Sequence, residues 1–535
     1  MKNNFLKLSW FGVTMLLMAS CTKKLDLLPT NDVTSETVYT SPAGYKQALA
    51  KVYGSFATTG NNGENSGDIQ GIDAGTSDFL RLFWKAQELS TDEAVISWGD
   101  PGIQDFHKMN WTSDNPMTKG LYYRSLYQIT LCNDFIRQST DAKVSGRGIT
   151  GADADNIKKY RAEARFIRAF QYSVLMDLFA RPPFADENTA IGGAPPKQIS
   201  RADLFAWIES ELKAIDADLV APKTNEYGRA DRAADWALLS RMYLNSSVYL
   251  GKATTDPVII GYYTMAITYS KKVIAEAYSL IPDYRWLCLS DNQQNTNEFI
   301  FTINYDGNKT RNWGGTTFLT HASVGGNMNA SNFGIDGGWG GTRTTKAFVD
   351  KFPDNSGFTD RRAQFYQNGQ NININDLTSF TDGFAVTKYR NVNRSGVPGT
   401  NLTWVDIDFP LFRLGETYLI YTEAVLRGGS GGDATTALGY VNLLRSRAWG
   451  NTSGNISAGT LTLDWLLDER ARELYWEGFR RSDLVRYGKF VESTYLWPWK
   501  GGVAGGSSVN DKYKIYPLPS ADVIANPNLT QNPGY

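Results

Sequence analysis

The chain has 535 residues with 54 basic and 55 acidic side chains, and this balance excludes the charge excess expected of a nucleic-acid binder. Three cysteines exclude a disulfide framework, and two histidines leave little material for histidine-based catalysis or metal binding. The informative deviation is aromatic content, at 13% with 15 Trp and 28 Tyr, side chains that join a flat apolar face to a polar edge.

The first predicted element is an export segment over residues 1–20. Lys2 and Lys7 precede an apolar run from Trp10 to Met18, which is too short to span a bilayer, and Ala19 and Ser20 lead to Cys21. This ending resembles a bacterial lipobox, so Cys21 is expected to carry a lipid and to begin a tether over residues 21–40. A helix is predicted from Ala43 to Thr58. The stretch NNGENSGDIQGIDAGTSDF that follows has the composition of a long surface loop.

Apolar residues at three- and four-residue steps predict helices over Asn156–Ala180, Asp203–Leu219, Asp231–Leu250 and Tyr262–Ala277. The last two make a helix-turn-helix unit of tetratricopeptide spacing. FRLGETYLIYTEAVLRGG and ATTALGYVNLLRSRA form a second such pair. Between these blocks, about residues 292–403, the chain turns to Gly, Asn, Thr and Ser with scattered aromatics, as in a loop-rich insertion carried on a helical scaffold. Within it lies DGGWGGT, in which Trp339 stands among four glycines. The largest apolar side chain there is expected to be presented to a ligand, with the glycines leaving room for it.

No catalytic constellation emerges. HExxH, CxxC and P-loop motifs are absent, and GGSGG at 428–432 lacks the strand-turn-helix setting of a nucleophile elbow. Asp92 and Glu93 are adjacent carboxylates, but nothing marks them as a glycosidase pair. The charges of DERARELYWEGFRRSDLVR fall at helical i, i+3 and i+4 spacing and are expected to be solvated or ion-paired.

Five segments in order, the lipobox Cys21, EARFIRAFQYSVLMDLFARPPF, FPLFRLGETYLIYTEAVLRGG, DERARELYWEGFRRSDLVRYGKF and KIYPLPSADVIANPNLTQNPGY, resemble the SusD/RagB family of outer-membrane lipoproteins. The resemblance implies a mainly α-helical fold, one domain over 41–535, in which tetratricopeptide-like helix pairs support a loop-rich ligand-binding region. It also implies a non-enzymatic role: capture of starch or other α-1,4-glucan chains at the cell exterior and delivery to a SusC-like TonB-dependent transporter. Matched residue by residue to the family's starch-binding pattern, Trp98, Trp313 and Trp339 would form an aromatic arc, with Asp73 and Arg81 as polar contacts. Two departures stand out. Trp313 replaces a tyrosine, and Pro101 replaces a contacting asparagine, removing a side-chain hydrogen bond. No cofactor is required by this pattern, but Asp291, Asp406 and Asp408 match the ligands of a structural calcium ion. Capture of another glycan is the alternative that the two departures favour, and capture of peptides, as by some relatives, is a further one that the three tryptophans argue against.

Overall fold

The computed structural model describes residues 35–535, so the export segment and Cys21 lie outside the described residues. The mainly helical fold expected from the sequence is observed. Its principal helices are α1 (Pro42–Ala57), α2 (Phe79–Glu88), α3 (Pro116–Gln138), α4 (Gly151–Phe179), α5 (Arg201–Ile215), α6 (Arg232–Leu244), α7 (Pro257–Ala275), α8 (Gly315–Ala322), α9 (Leu414–Leu426), α10 (Ala434–Trp449), α11 (Leu463–Leu474) and α12 (Arg480–Arg486). Local chemistry sets their starts. Ser41, Asn115, Asp231 and Asp256 each accept a backbone N–H of the first turn, and α1, α3 and α7 also carry proline at their first position.

Helix α4 begins at Gly151, a turn before its apolar pattern does, and stops where Ala180 takes φ 61° ahead of Arg181-Pro182-Pro183. The helix expected over Asp231–Leu250 breaks at Asn245, whose N–H turns back onto the carbonyls of α6, and a separate short helix runs over Ser246–Leu250. Pairwise packing gives the expected scaffold. Helix α3 lies on α4 and α4 on α5, while α6 pairs with α7, α7 with α9, and α9 with α10. Tyr418 of α9 and Tyr440 of α10 stack with centroids 4.4 Å apart. GGSGG is the connection between these two helices.

The strands are short and serve as clasps. Antiparallel pairs join β1 (Val95–Ile96) to β3 (Thr342–Arg343), β2 (Phe299–Ile303) to β6 (Phe409–Arg413), and β4 (Phe365–Tyr366) to β5 (Ala385–Val386). The β2–β6 pair closes the base of the loop-rich stretch, and β6 runs directly into α9.

Most charges of α11 and α12 are ion-paired as expected but buried, while Asp464 and Asp468 stay solvated. Glu469, Arg470, Glu473, Glu477, Arg480, Asp483 and Arg486 are all buried. Arg413 bonds Glu473 at 2.7 Å, Glu477 at 2.7 Å and Glu298 at 3.1 Å, and Arg447 closes the ring onto Glu298 at 2.9 Å. Burial alone would raise the pKa of Glu473, but Arg447, Arg413 and Arg362 pull it down to about 2. Asp92 is likewise locked onto Arg480 at 2.6 Å, and both are buried, so the Asp92–Glu93 pair is structural.

Candidate ligand-binding site

The three tryptophans come together around one short helix. Trp313 lies just before α8, and Trp339 is pinned to the other end, where the loop donates to carbonyls that helix geometry leaves unpaired. Trp339 N–H bonds His321 O, Gly340 N–H bonds Val324 O and Gly341 N–H bonds Ala322 O, each at 2.8 Å. The β1–β3 clasp then brings in Trp98, two residues past Ile96. Ser97 N–H donates to Gly341 O at 2.9 Å, and Trp98 Nε1 donates to Trp339 O at 3.2 Å.

Each of the three indoles is half-buried. Trp98 and Trp339 have centroids 6.3 Å apart with planes inclined at 41°, and Trp313 and Trp339 lie 6.0 Å apart at 53°. Neighbouring ring planes are thus inclined to one another and not parallel.

Arg81, in the first turn of α2, ties the group together. Its Nη1 donates to Trp313 O at 2.7 Å, and its guanidinium lies 4.8 Å from the Phe318 ring and 5.6 Å from the Trp98 ring. Burial pulls its pKa down to about 10, opposed by the nearby Asp73 carboxylate, and it remains a cation at neutral pH. Its buried Nε has no hydrogen-bond partner among the described residues. Asp78 locks α2 to α8, since its Oδ1 accepts both Arg81 N–H at 2.9 Å and Gly315 N–H at 2.8 Å. Asp73 is exposed and accepts Thr76 N–H at 2.9 Å, and Pro101 is exposed on the turn after Trp98.

Sequence reasoning missed three supporting residues. Trp404 is buried and meets Trp313 at 4.3 Å, Asn65 accepts Trp313 Nε1–H at 3.2 Å, and His321 stacks on Trp339 at 4.7 Å. The His321 nitrogens face Gly337 O at 2.6 Å and Thr403 O at 3.0 Å, and burial lowers its pKa. The neutral ring carries one N–H, and its tautomer decides which carbonyl receives it. This histidine orients an aromatic ring. Its nitrogens are occupied by backbone carbonyls.

Gly337 has open space beside it, as expected, but the other three glycines around Trp339 have a different role. A methyl group on Gly341 would lie 2.6 Å from Cε2 of Trp98, one on Gly338 would lie 2.3 Å from the Val324 carbonyl oxygen, and Gly340 has φ +57°. They let the chain pack onto itself and so fix the arc. Gly341→Ala is therefore expected to cost about 1–3 kcal/mol, as overpacking does, read from the denaturation midpoint together with an altered near-UV circular dichroism of the tryptophans.

The aspartates expected to hold calcium each accept hydrogen bonds from within the protein. Asp408 accepts Tyr305 N–H at 2.8 Å and the Tyr227 hydroxyl at 2.9 Å, Asp406 accepts Gly307 N–H at 2.7 Å and the Thr400 hydroxyl at 2.8 Å, and Asp291 accepts Arg394 N–H at 3.3 Å. Burial pushes the Asp408 carboxyl up to about 7, and the neighbouring Asp406 and Asp306 carboxylates act in the same direction. Asp291 Oδ1 is buried without a hydrogen-bond partner, and among the described residues no three His, Cys, Asp or Glu side chains stand together as a metal-binding group. Addition of EDTA is expected to leave the unfolding midpoint unchanged, and a drop of several degrees would restore the calcium assignment.

The fold and this mount define a helical-repeat scaffold that presents a braced aromatic surface. The chain is 34% identical to the starch-binding protein SusD of Bacteroides thetaiotaomicron over the whole of both chains, and it belongs to the SusD family. The model of the SusD family matches residues 359–535. SusD-like protein P2 of Formosa agariphila is 24% identical across 73% of this chain and 77% of its own. Among solved structures, surface glycan-binding protein A from Bacteroides thetaiotaomicron, in complex with laminarihexaose, superposes with a TM-score of 0.69 at 22% identity, covering 92% of this chain and 99% of that one. Among the described residues no helix is long and apolar enough to cross a membrane.

Proposed function

We propose that this protein captures α-1,4-glucan chains, as found in starch, at the outer surface of the cell and passes them unchanged to a SusC-like TonB-dependent transporter, held to the outer membrane through a lipid on Cys21. The observation that carries the reading is the tilted arc of Trp98, Trp339 and Trp313 around the Arg81 guanidinium. A pyranose ring has a C–H face that an indole can desolvate and a rim of hydroxyls for Arg81 and Asp73. A curved arc suits the helical turn of an α-1,4-glucan better than a straight β-1,4 chain. Full-length similarity to a starch-binding protein supports the same ligand class. The anchor and the transporter rest on the lipobox and on membership of the family.

A second reading, a different glycan, is favoured by Pro101, which supplies no side-chain hydrogen bond beside Trp98. Calorimetric titration of residues 22–535 with maltoheptaose, α-cyclodextrin, cellohexaose and laminarihexaose separates the two. Heat from the first two sugars alone is the expected outcome. Binding of laminarihexaose or cellohexaose alone would replace α-glucan by another glycan, and release of shortened products would overturn the non-catalytic role.

A further inference from the structure

We propose that Asn65 is a sugar-contacting residue, which offers the N–H groups of its amide to the hydroxyl rim of a glucose unit stacked on Trp313. The inference rests on the glycan reading above and adds a polar contact at one end of the arc. Trp313 Nε1–H donates to Asn65 Oδ1 at 3.2 Å, so this amide directly touches one of the three rings. An indole N–H bond lies in the plane of its ring. The amide therefore stands at the edge of Trp313 and covers neither face, while the hydroxyl rim of a pyranose lying on a face reaches past that edge. Asn65 is exposed, and its amide nitrogen has no acceptor among the described residues. Two N–H donors are thus left free beside the ring.

The loop over residues 58–78, which carries Asn65, is seated at both ends. At its base Asp68 N–H donates to Thr59 O at 2.7 Å, the Thr59 hydroxyl donates to Ser66 O at 3.1 Å, and the buried Arg124 donates to Thr59 O at 3.1 Å. A methyl group on Gly60 would lie 2.6 Å from the Ser66 carbonyl oxygen, and one on Gly75 would run into Cβ of Trp313. The first glycine closes the loop on itself, and the second presses it against the tryptophan. Trp313 is held in turn, since Trp404 meets its ring at 4.3 Å and Arg81 holds its carbonyl at 2.7 Å. Donor and platform are fixed together. The chemistry points to a neutral ligand, because the amide is uncharged and Glu64 beside it and Asp73 in the same loop disfavour an anion.

Calorimetric titration with maltoheptaose tests this on four forms of the chain over residues 22–535: wild type, Asn65→Ala, Trp313→Phe and the double variant. Asn65→Ala is expected to weaken binding several-fold, the worth of one neutral hydrogen bond, in the wild type and again in Trp313→Phe, where no indole N–H remains to be held. A loss seen only with the tryptophan in place would make Asn65 a brace for the ring and overturn the contact. Unchanged affinity in Asn65→Ala would overturn it as well, with the arc still standing. A wild type that does not bind maltoheptaose overturns the α-glucan reading, and this inference falls with it. Equal denaturation midpoints in the four forms are the control that the fold survives.

Discussion

Arg413→Met is expected to destabilise the protein by about 3–5 kcal/mol, the cost of breaking a buried ion pair from one side. The magnitude follows from what is left behind. Glu473, Glu477 and Glu298 each lose a guanidinium contact, and the Glu473 carbonyl loses a donor at 2.7 Å, all away from water. Position amplifies the loss, because Arg413 ends β6, pairs with Phe299 of β2 and leads into α9. Lys46→Met is the control. Its pair with Glu226 is more than half exposed on both sides, and such pairs contribute about 0–1 kcal/mol. Urea denaturation of the two variants decides, and equal midpoints would mean that water reaches the Arg413 cluster. Acid acts on the same group. Glu473 is depressed from 4.5 to about 2, so its contribution is in place above pH 4.5 and is lost as pH falls toward 2.

Trp98→Ala and Trp339→Ala are each expected to weaken maltoheptaose binding by about 5- to 150-fold, from about 1–3 kcal/mol per stacked ring by analogy with bases on aromatics. Trp339 should show the larger loss, because its ring stands 6.3 Å from Trp98 and 6.0 Å from Trp313 and so occupies the middle of the curve. Calorimetry gives the affinity, and unchanged denaturation midpoints would show that the loss is one of contact. Retained affinity in both variants would place the sugar elsewhere on the protein.

The scaffold was legible in the sequence because a helix that buries one face repeats its apolar residues at a fixed step, as in α4 and α7. The tryptophans were found through local segments, and the structure brings those three together with Arg81. Three features depended on neighbours remote in sequence. Glycine at 341 reveals its purpose only beside Trp98, 243 residues away. Glu469 to Glu473 of α11 carry the same spacing as a solvated helix, and Glu473 is buried where arginines of β6 and α10 meet it. Helix α8 was hidden in loop-like composition, GTTFLTHA. It is held by Asp78 of the neighbouring segment and by the backbone around Trp339.

That short helix has a consequence for how a ligand is selected. Because Trp313 leads into α8, Trp339 is stitched to its end, and Trp98 is clasped to Trp339, the backbone segments that carry the three rings are tied into one unit. The surface is a die already cut. A sugar of matching curvature meets it with little ordering left to do, and one of another pitch cannot coax it into shape. Changes in preference among relatives must then come from exchanging rings on the mount or from editing the loops at its rim.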